Sequence, residues 1–373
     1  MSKEILKKHI IKLKLLHMQK TFLSHLMRNI FLVFIIFLCS CASVMSPSGG
    51  DIDTIPPKLE KTLPNELINL SPEQNITLFF NEYIQQESLR KAFEIFPNVN
   101  EKIQYEYEGD KVVVRLPSSL DKNKTYIMTL NSNFADEHNV KLKEDVVIPF
   151  SLSSFINDGK IRGNIYGVFT KPSILLWQGK ISKEEMLSIE PNYILSGSSS
   201  YNFDFLPYDD YTILAVDKYN RRLDLNDNIV SFSSLSQISI QKDSIGKANF
   251  FFNKQLIEEA AADSLVIEEI DVASNATLLG KVSGNFILPM IVRISNKSHS
   301  FLANVGIDGK FSIINAVEGS YQLIAFQDRN NNQLLDTGSF SENSLSEKFF
   351  VYPDKLTLRE NWDIEITDWK VNE

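Results

Sequence analysis

The chain has 373 residues, with 38 Lys and Arg against 47 Asp and Glu, and 43% of its residues are hydrophobic. This composition argues against a wholly disordered, collagen-like or polytopic membrane chain, and the length predicts two or three domains. The 25 Phe and 12 Tyr suit β-rich cores.

Residues 1–40 differ from the rest. They hold seven Lys and Arg and one acid, Glu4, and run into the apolar stretch Ile30–Leu38. Nine apolar residues fall short of the ~20 that a spanning helix needs. A basic lead before a short apolar run predicts a secretory signal peptide over 1–40. The residues that follow, Leu38-Cys39-Ser40-Cys41, resemble a bacterial lipobox. The resemblance implies cleavage after Ser40 and a lipid on Cys41. The basic lead is long for a signal peptide, so Met18 and Met27 are alternative starts to Met1. Two other readings are a signal-anchor helix with buried cysteines and a basic amphipathic helix on the membrane surface.

Without residues 1–40 the chain keeps 333 residues. Its 38 basic residues less 7 leave 31, and its 47 acidic residues less 1 leave 46, a net charge of −15. Such a surface repels nucleic acid, so no nucleic-acid partner is expected. No Cys follows Cys41, which excludes an internal disulfide, a thiolate metal site or a Cys nucleophile downstream.

Residues 41–54, rich in Ser, Pro and Gly, predict a flexible tether. Residues 55–154 predict a first β-sandwich. Asn75–Phe80 alternates, with Ile76, Leu78 and Phe80 on one face. Ile103–Tyr107 and Lys111–Leu116 flank the hairpin signal Glu108-Gly109-Asp110, and Thr125–Leu130 and Val146–Leu152 complete the set. The segments Asp53–Pro57, Pro64-Asn65, Phe79–Tyr83 and Leu120–Tyr126 resemble the SbsA-type bacterial Ig-like domain at the head of many Bacteroidetes lipoproteins. That resemblance implies an Ig-like fold and an outer-membrane lipoprotein, and it brings no catalytic residues.

Residues 158–252 and 275–370 predict two further sandwiches related to each other. Tyr201–Val216 aligns without a gap to Phe311–Phe326, and Gly163–Gly167 corresponds to Gly280–Gly284. The Gly-x-apolar-x-Gly opening and the Tyr-x-apolar-apolar-Ala strand resemble transthyretin-like or carboxypeptidase-regulatory-like modules. Between them, residues 253–272 favour a helical connector, and Asn361–Trp369 reads as a closing strand. The fold expected is thus all-β: tandem sandwiches after a signal peptide, with one short helix.

The chemistry-bearing residues are few. Beyond residue 40 only His138 and His299 remain, both among polar turn residues, and no G-x-S-x-G elbow or phosphate-cradling loop occurs. Acids are plentiful but no pair of the glycosidase kind stands out. In Asp328–Asp336, the residues Asp328, Asn330, Asn332 and Asp336 take positions 1, 3, 5 and 9 of a calcium loop. Gln333 stands where the turn wants Gly, and Ser339 where a bidentate Glu is expected. An Asx-rich turn bonded to its own backbone is the structural alternative. The loop Asp217–Asp224 is a degraded equivalent. Thr54, Ser244 and Ser264 follow Asp and precede an apolar residue, which resembles the O-glycosylation acceptor of Bacteroidetes.

The sequence therefore predicts a non-enzymatic binding or scaffold protein, lipid-anchored in the cell outer membrane, facing the periplasm or the surface. Its partners are the membrane, through the lipid, and a protein or glycan; calcium is the candidate cofactor. A glycan-acting enzyme and an accessory subunit of an outer-membrane complex are the alternatives.

Overall fold

The computed structural model describes residues 14–29, 50–99, 101–196, 199–223, 229–253 and 276–371. The chain divides into two compact units, the first ending at Thr54 and the second starting at Ile55. In the first unit residues 14–29 form a helix, with the Thr21 hydroxyl donating to the His17 carbonyl. No described helix is long and apolar enough to cross a membrane. The apolar run Ile30–Leu38, Cys41 and nearly all of the predicted connector lie outside the described residues.

The second unit is built of β-sheets. Its first part carries β1 (Leu59–Leu63), β2 (Asn75–Phe80), β3 (Phe93–Phe96), β4 (Gln104–Tyr107), β5 (Lys111–Arg115), β6 (Thr125–Leu130) and β7 (Val146–Ser151). Two antiparallel sheets, ordered β1-β2-β5-β4 and β3-β6-β7, close over one core. The alternation in β2 is obeyed: Ile76, Leu78 and Phe80 are buried. Gly109 turns the β4–β5 hairpin at φ 73°, a conformation that favours Gly. Pro149 sits in β7, an edge strand, where no ladder donor is missed. A helix over Gln86–Ala92 precedes β3.

The middle part carries β8 (Gly159–Gly167), β9 (Pro172–Gln178), β10 (Tyr193–Ser196), β11 (Ser200–Leu206), β12 (Asp210–Asp217), β13 (Val230–Phe232), β14 (Ile238–Ser239), β15 (Ile245–Lys247) and β16 (Phe250–Phe252). One sheet runs β10-β9-β12-β13, with β14 also on β12. The other runs β11-β8-β15, with β16 also on β8. The last part carries β17 (Ala276–Gly284), β18 (Met290–Ser295), β19 (Ser300–Asn304), β20 (Lys310–Ala316), β21 (Gly319–Gln327), β22 (Phe349–Val351), β23 (Leu356–Leu358) and β24 (Asp363–Val371). Its sheets run β20-β17-β24 and β19-β18-β21-β22, with β23 also on β21. The closing strand expected at the C-terminus is β24, which pairs in parallel with β17.

The internal repeat has a structural cause. β8 and β17 show the same order of buried and exposed residues along nine positions. Tyr201 pairs with Gly163, and Phe311 with Gly280. Each aromatic ring lies across its glycine: a Cβ on Gly280 would stand 2.3 Å from Phe311 Cζ, and one on Gly163 would stand 2.6 Å from the Tyr201 hydroxyl. The repeated Tyr of the next strand makes a tyrosine corner. Tyr211 donates to the Pro207 carbonyl at 2.9 Å and Tyr321 to the Val317 carbonyl at 2.8 Å, each four residues upstream.

The central strands read as unbroken apolar runs because both of their faces are covered. In β12, Tyr211, Ile213 and Ala215 enter the sandwich core, while Leu214 and Val216 join a second cluster with Trp177, Met186 and Phe232. That second cluster also holds Phe340 from the last part. In β21, Ile324 and Phe326 face outward onto Phe251 of the middle part. Toward the N-terminal side, Phe96 and Ile127 of the first part are buried in the middle core. Buried apolar seams therefore join all three parts.

Candidate functional site

The Asp328 loop leaves β21 and is closed by its own side chains. The Asp328 carboxylate, 2% exposed, accepts the N–H of Asn332 and of Gln333, each at 3.0 Å. The Asn330 amide donates to Asp336 at 2.7 Å and the Asn332 amide to Asp336 at 3.3 Å. The four residues singled out in sequence are thus brought together, in a net of Asx-type turns. Gln333 occupies the position that prefers Gly and adopts φ 64°.

Sequence spacing missed one member of this loop, Glu347. It is 3% exposed, and it accepts the N–H of Arg329 at 2.6 Å and of Asp336 at 3.2 Å. Burial pushes its carboxyl above the usual carboxylate range; the two backbone donors oppose this, and the neighbouring Asp336 and Asp328 add to it. Ser339, where spacing would put a bidentate acid, instead meets Lys183: the Lys183 ammonium donates to the Ser339 carbonyl at 2.6 Å. In the middle part, Asp217 is buried and accepts the N–H of Thr170 and Lys171, while Asp224 lies outside the described residues.

Thr54 is exposed. Ser244 is exposed on the turn before β15, its hydroxyl donating to the Gln241 carbonyl at 2.7 Å. Ser264 and Cys41 lie outside the described residues. His138 and His299 are both exposed.

A cleft of about 420 Å³ opens between the middle and last parts of the second unit. Gly167, Val168 and Phe251–Asn253 form one wall; Arg293, the turn 295–300, residues 320–322 and Lys355 form the other. Its position follows from strand alternation. Met290, Val292 and Ile294 of β18 enter the sandwich core, so Arg293 must project from the opposite face, toward the seam. There it is 5% exposed, with its guanidinium carbon 5.6 Å from the centre of the Phe251 ring and 5.8 Å from that of Phe326. Its Nε is buried without a hydrogen-bond partner among the described residues. Desolvation pushes its pKa down to about 10. The one sequence signal for this group is a charged residue inside the apolar run Met290–Ile294.

Fold and surface together describe an all-β protein of tandem sandwiches with a polar cleft at one seam. Residues 53–155 match the family described as bacterial Ig-like domain. No curated protein matches the chain. Among solved structures, the Bacillus anthracis TIE protein is similar at 12% identity and a TM-score of 0.17, over 87% of this chain and 59% of that one. The chain thus spans less than two thirds of the TIE protein. GBS52, the minor pilin of Streptococcus agalactiae, is similar at 9% identity and a TM-score of 0.17, over 58% of this chain and 97% of that one. Native alpha-2-macroglobulin from Escherichia coli, spanning domains MG0-NIE-MG1, gives 12% identity and a TM-score of 0.22, over 75% and 95%. Likeness at this level carries no statement about function.

Proposed function

We propose that the chain is an exported, lipid-anchored protein of the bacterial outer membrane, and that its sandwiches form a non-enzymatic binding scaffold. The observation that carries this reading is the match of residues 53–155 to the bacterial Ig-like domain, directly behind the lipobox-like Leu38–Cys41. The fold supports it physically. Buried seams join the sandwiches, and rigid β-scaffolds present their loops and seams for recognition. In this reading the lipoprotein is of the Bacteroidetes type, its middle and last parts are transthyretin-like modules, and exposed Thr54 and Ser244 are glycan acceptors together with Ser264. Calcium occupies the Asp328 loop, where Asp328, Asp336 and Glu347 supply carboxylates and Asn330 and Asn332 amide oxygens, the hard donors that calcium takes. Its role there is to stiffen the loop.

The test is Cys41→Ala in cells fed an alkyne-bearing fatty acid. The unaltered chain should take up the label and sediment with membranes, and the variant should do neither. A variant that is still labelled and retained ends the lipoprotein reading.

A further inference from the structure

We infer that the cleft at the second seam binds a small carboxylate-bearing ligand of the acidic-sugar class, with Arg293 as its anchor. The inference stands on the cleft alone and does not depend on the lipid at Cys41.

Arg293 carries the argument. A buried cation is costly unless a counter-charge and hydrogen bonds compensate it. Here the two flanking aromatic rings supply part of that compensation. No ion pair or hydrogen bond to the guanidinium is made among the described residues, and its Nε is left without an acceptor. The cleft that it lines contains Lys297 and Lys355 as well, and no Asp or Glu among the described residues. Among the described residues three cations and no acid lie together there, on a chain whose formal net charge is −9. An oxyanion is the group that complements this set of cations. The planar guanidinium fork matches a carboxylate bidentately, and Lys adds point charge at the rim.

The rest of the lining narrows the class. Asn253, Asn296 and Gln322 offer amides, and the buried Phe251, Phe252 and Tyr321 contribute to the walls. Amides beside a cation suit a sugar with a carboxylate, whose hydroxyls pair with the amides while the acid meets the guanidinium. An aliphatic acid would leave the amides unused, and an inorganic oxyanion would leave most of the cleft unfilled. The volume of about 420 Å³ falls in the range of small-molecule sites and is far below that of a folded partner.

The experiment is calorimetric titration of the full chain in detergent with sodium glucuronate, and in parallel with glucose, acetate and sulfate. Glucuronate should bind at least tenfold tighter than each of the other three. Arg293→Met should lose that binding by tenfold or more, while its melting temperature without ligand stays equal or rises, because an uncompensated charge has been removed. A purely structural arginine would give a lowered melting temperature with binding unchanged. Equal binding of glucose, or of acetate and sulfate, overturns the acidic-sugar assignment, and undiminished binding by Arg293→Met overturns the anchor. Should Arg293→Met fail to fold, Lys297→Gln with Lys355→Gln, both at exposed positions, must weaken glucuronate binding at least threefold with an unchanged melting temperature. Unchanged affinity in that pair also overturns the proposal.

Discussion

Lys183 is the residue through which the second seam can be loosened most cleanly. It opens the short helix Lys183–Met186, which Ser182 caps, and is 9% exposed. Its ammonium reaches across to the last sandwich, donating to the carbonyls of Ser339 at 2.6 Å and Ser344 at 2.5 Å, and it lies 3.9 Å from the centre of the Phe232 ring. Lys183→Met keeps the stem and deletes the charge. Hydrogen bonds from a charged donor contribute ~1.5–3 kcal/mol each, and a partly desolvated cation over a ring contributes about 1 kcal/mol. Removing the ammonium also removes its desolvation cost of several kcal/mol. The two stranded carbonyls leave a net loss of about 2 kcal/mol, a factor of ~30 in the folded-to-unfolded ratio. The assay is urea unfolding followed by fluorescence of Trp177, with Trp362 and Trp369 replaced by Phe in both chains; Trp177 is buried in the same cluster as Phe232 and Phe340. The midpoint should fall, and the Trp177 signal should move ahead of the far-ultraviolet circular dichroism as the seam opens first. A midpoint within ~0.3 kcal/mol of the unaltered chain, with coincident signals, would refute the reasoning.

The Asp328 loop should show in a pH profile. Burial holds the Glu347 carboxyl above its ordinary value. The stability that it contributes is therefore full below about pH 4.5 and is lost as pH rises through its raised folded value. Glu347→Gln should flatten the stability curve in that window, and superimposable curves would count against the assignment. Added calcium should raise the melting temperature of the unaltered chain and leave Asp328→Ala unmoved; equal shifts would remove calcium from the loop. The two repeat glycines should differ in cost. Gly280→Ala meets a ring that can shift, for about 1–3 kcal/mol, whereas a Cβ on Gly163 would stand 1.6 Å from the Ala248 carbonyl oxygen, which is backbone. Urea midpoints should fall further for Gly163→Ala, and the reverse order would contradict the packing described.

The strands of the first sandwich were legible because one face of each is polar, so period-two alternation survives in Ile76, Leu78 and Phe80. The repeat was legible because a glycine under an aromatic ring leaves a sequence mark at both Gly163 and Gly280. The seams were not. Runs such as Ile174–Trp177 and Leu323–Phe326 say that two faces are covered, but an apolar side chain carries no label for its partner. Phe340 and Phe251 were found only where the fold placed them. Glu347 escaped for a related reason: a loop motif counts residues along the chain, and this carboxylate arrives from the far side of the loop. Arg293 was visible as a charge in an apolar strand, yet the absence of a partner is a fact of three dimensions. The four-residue strand Phe93–Phe96 and the helix before it are too short for periodicity to mark.

The measurement that bears most directly on the central claim is the intact mass of the chain extracted from membranes in detergent. The account predicts a polypeptide that begins at Cys41 and is heavier than its amino acids by the mass of a lipid. A chain that retains residues 1–40, or one that begins at Cys41 with no added mass, would contradict it.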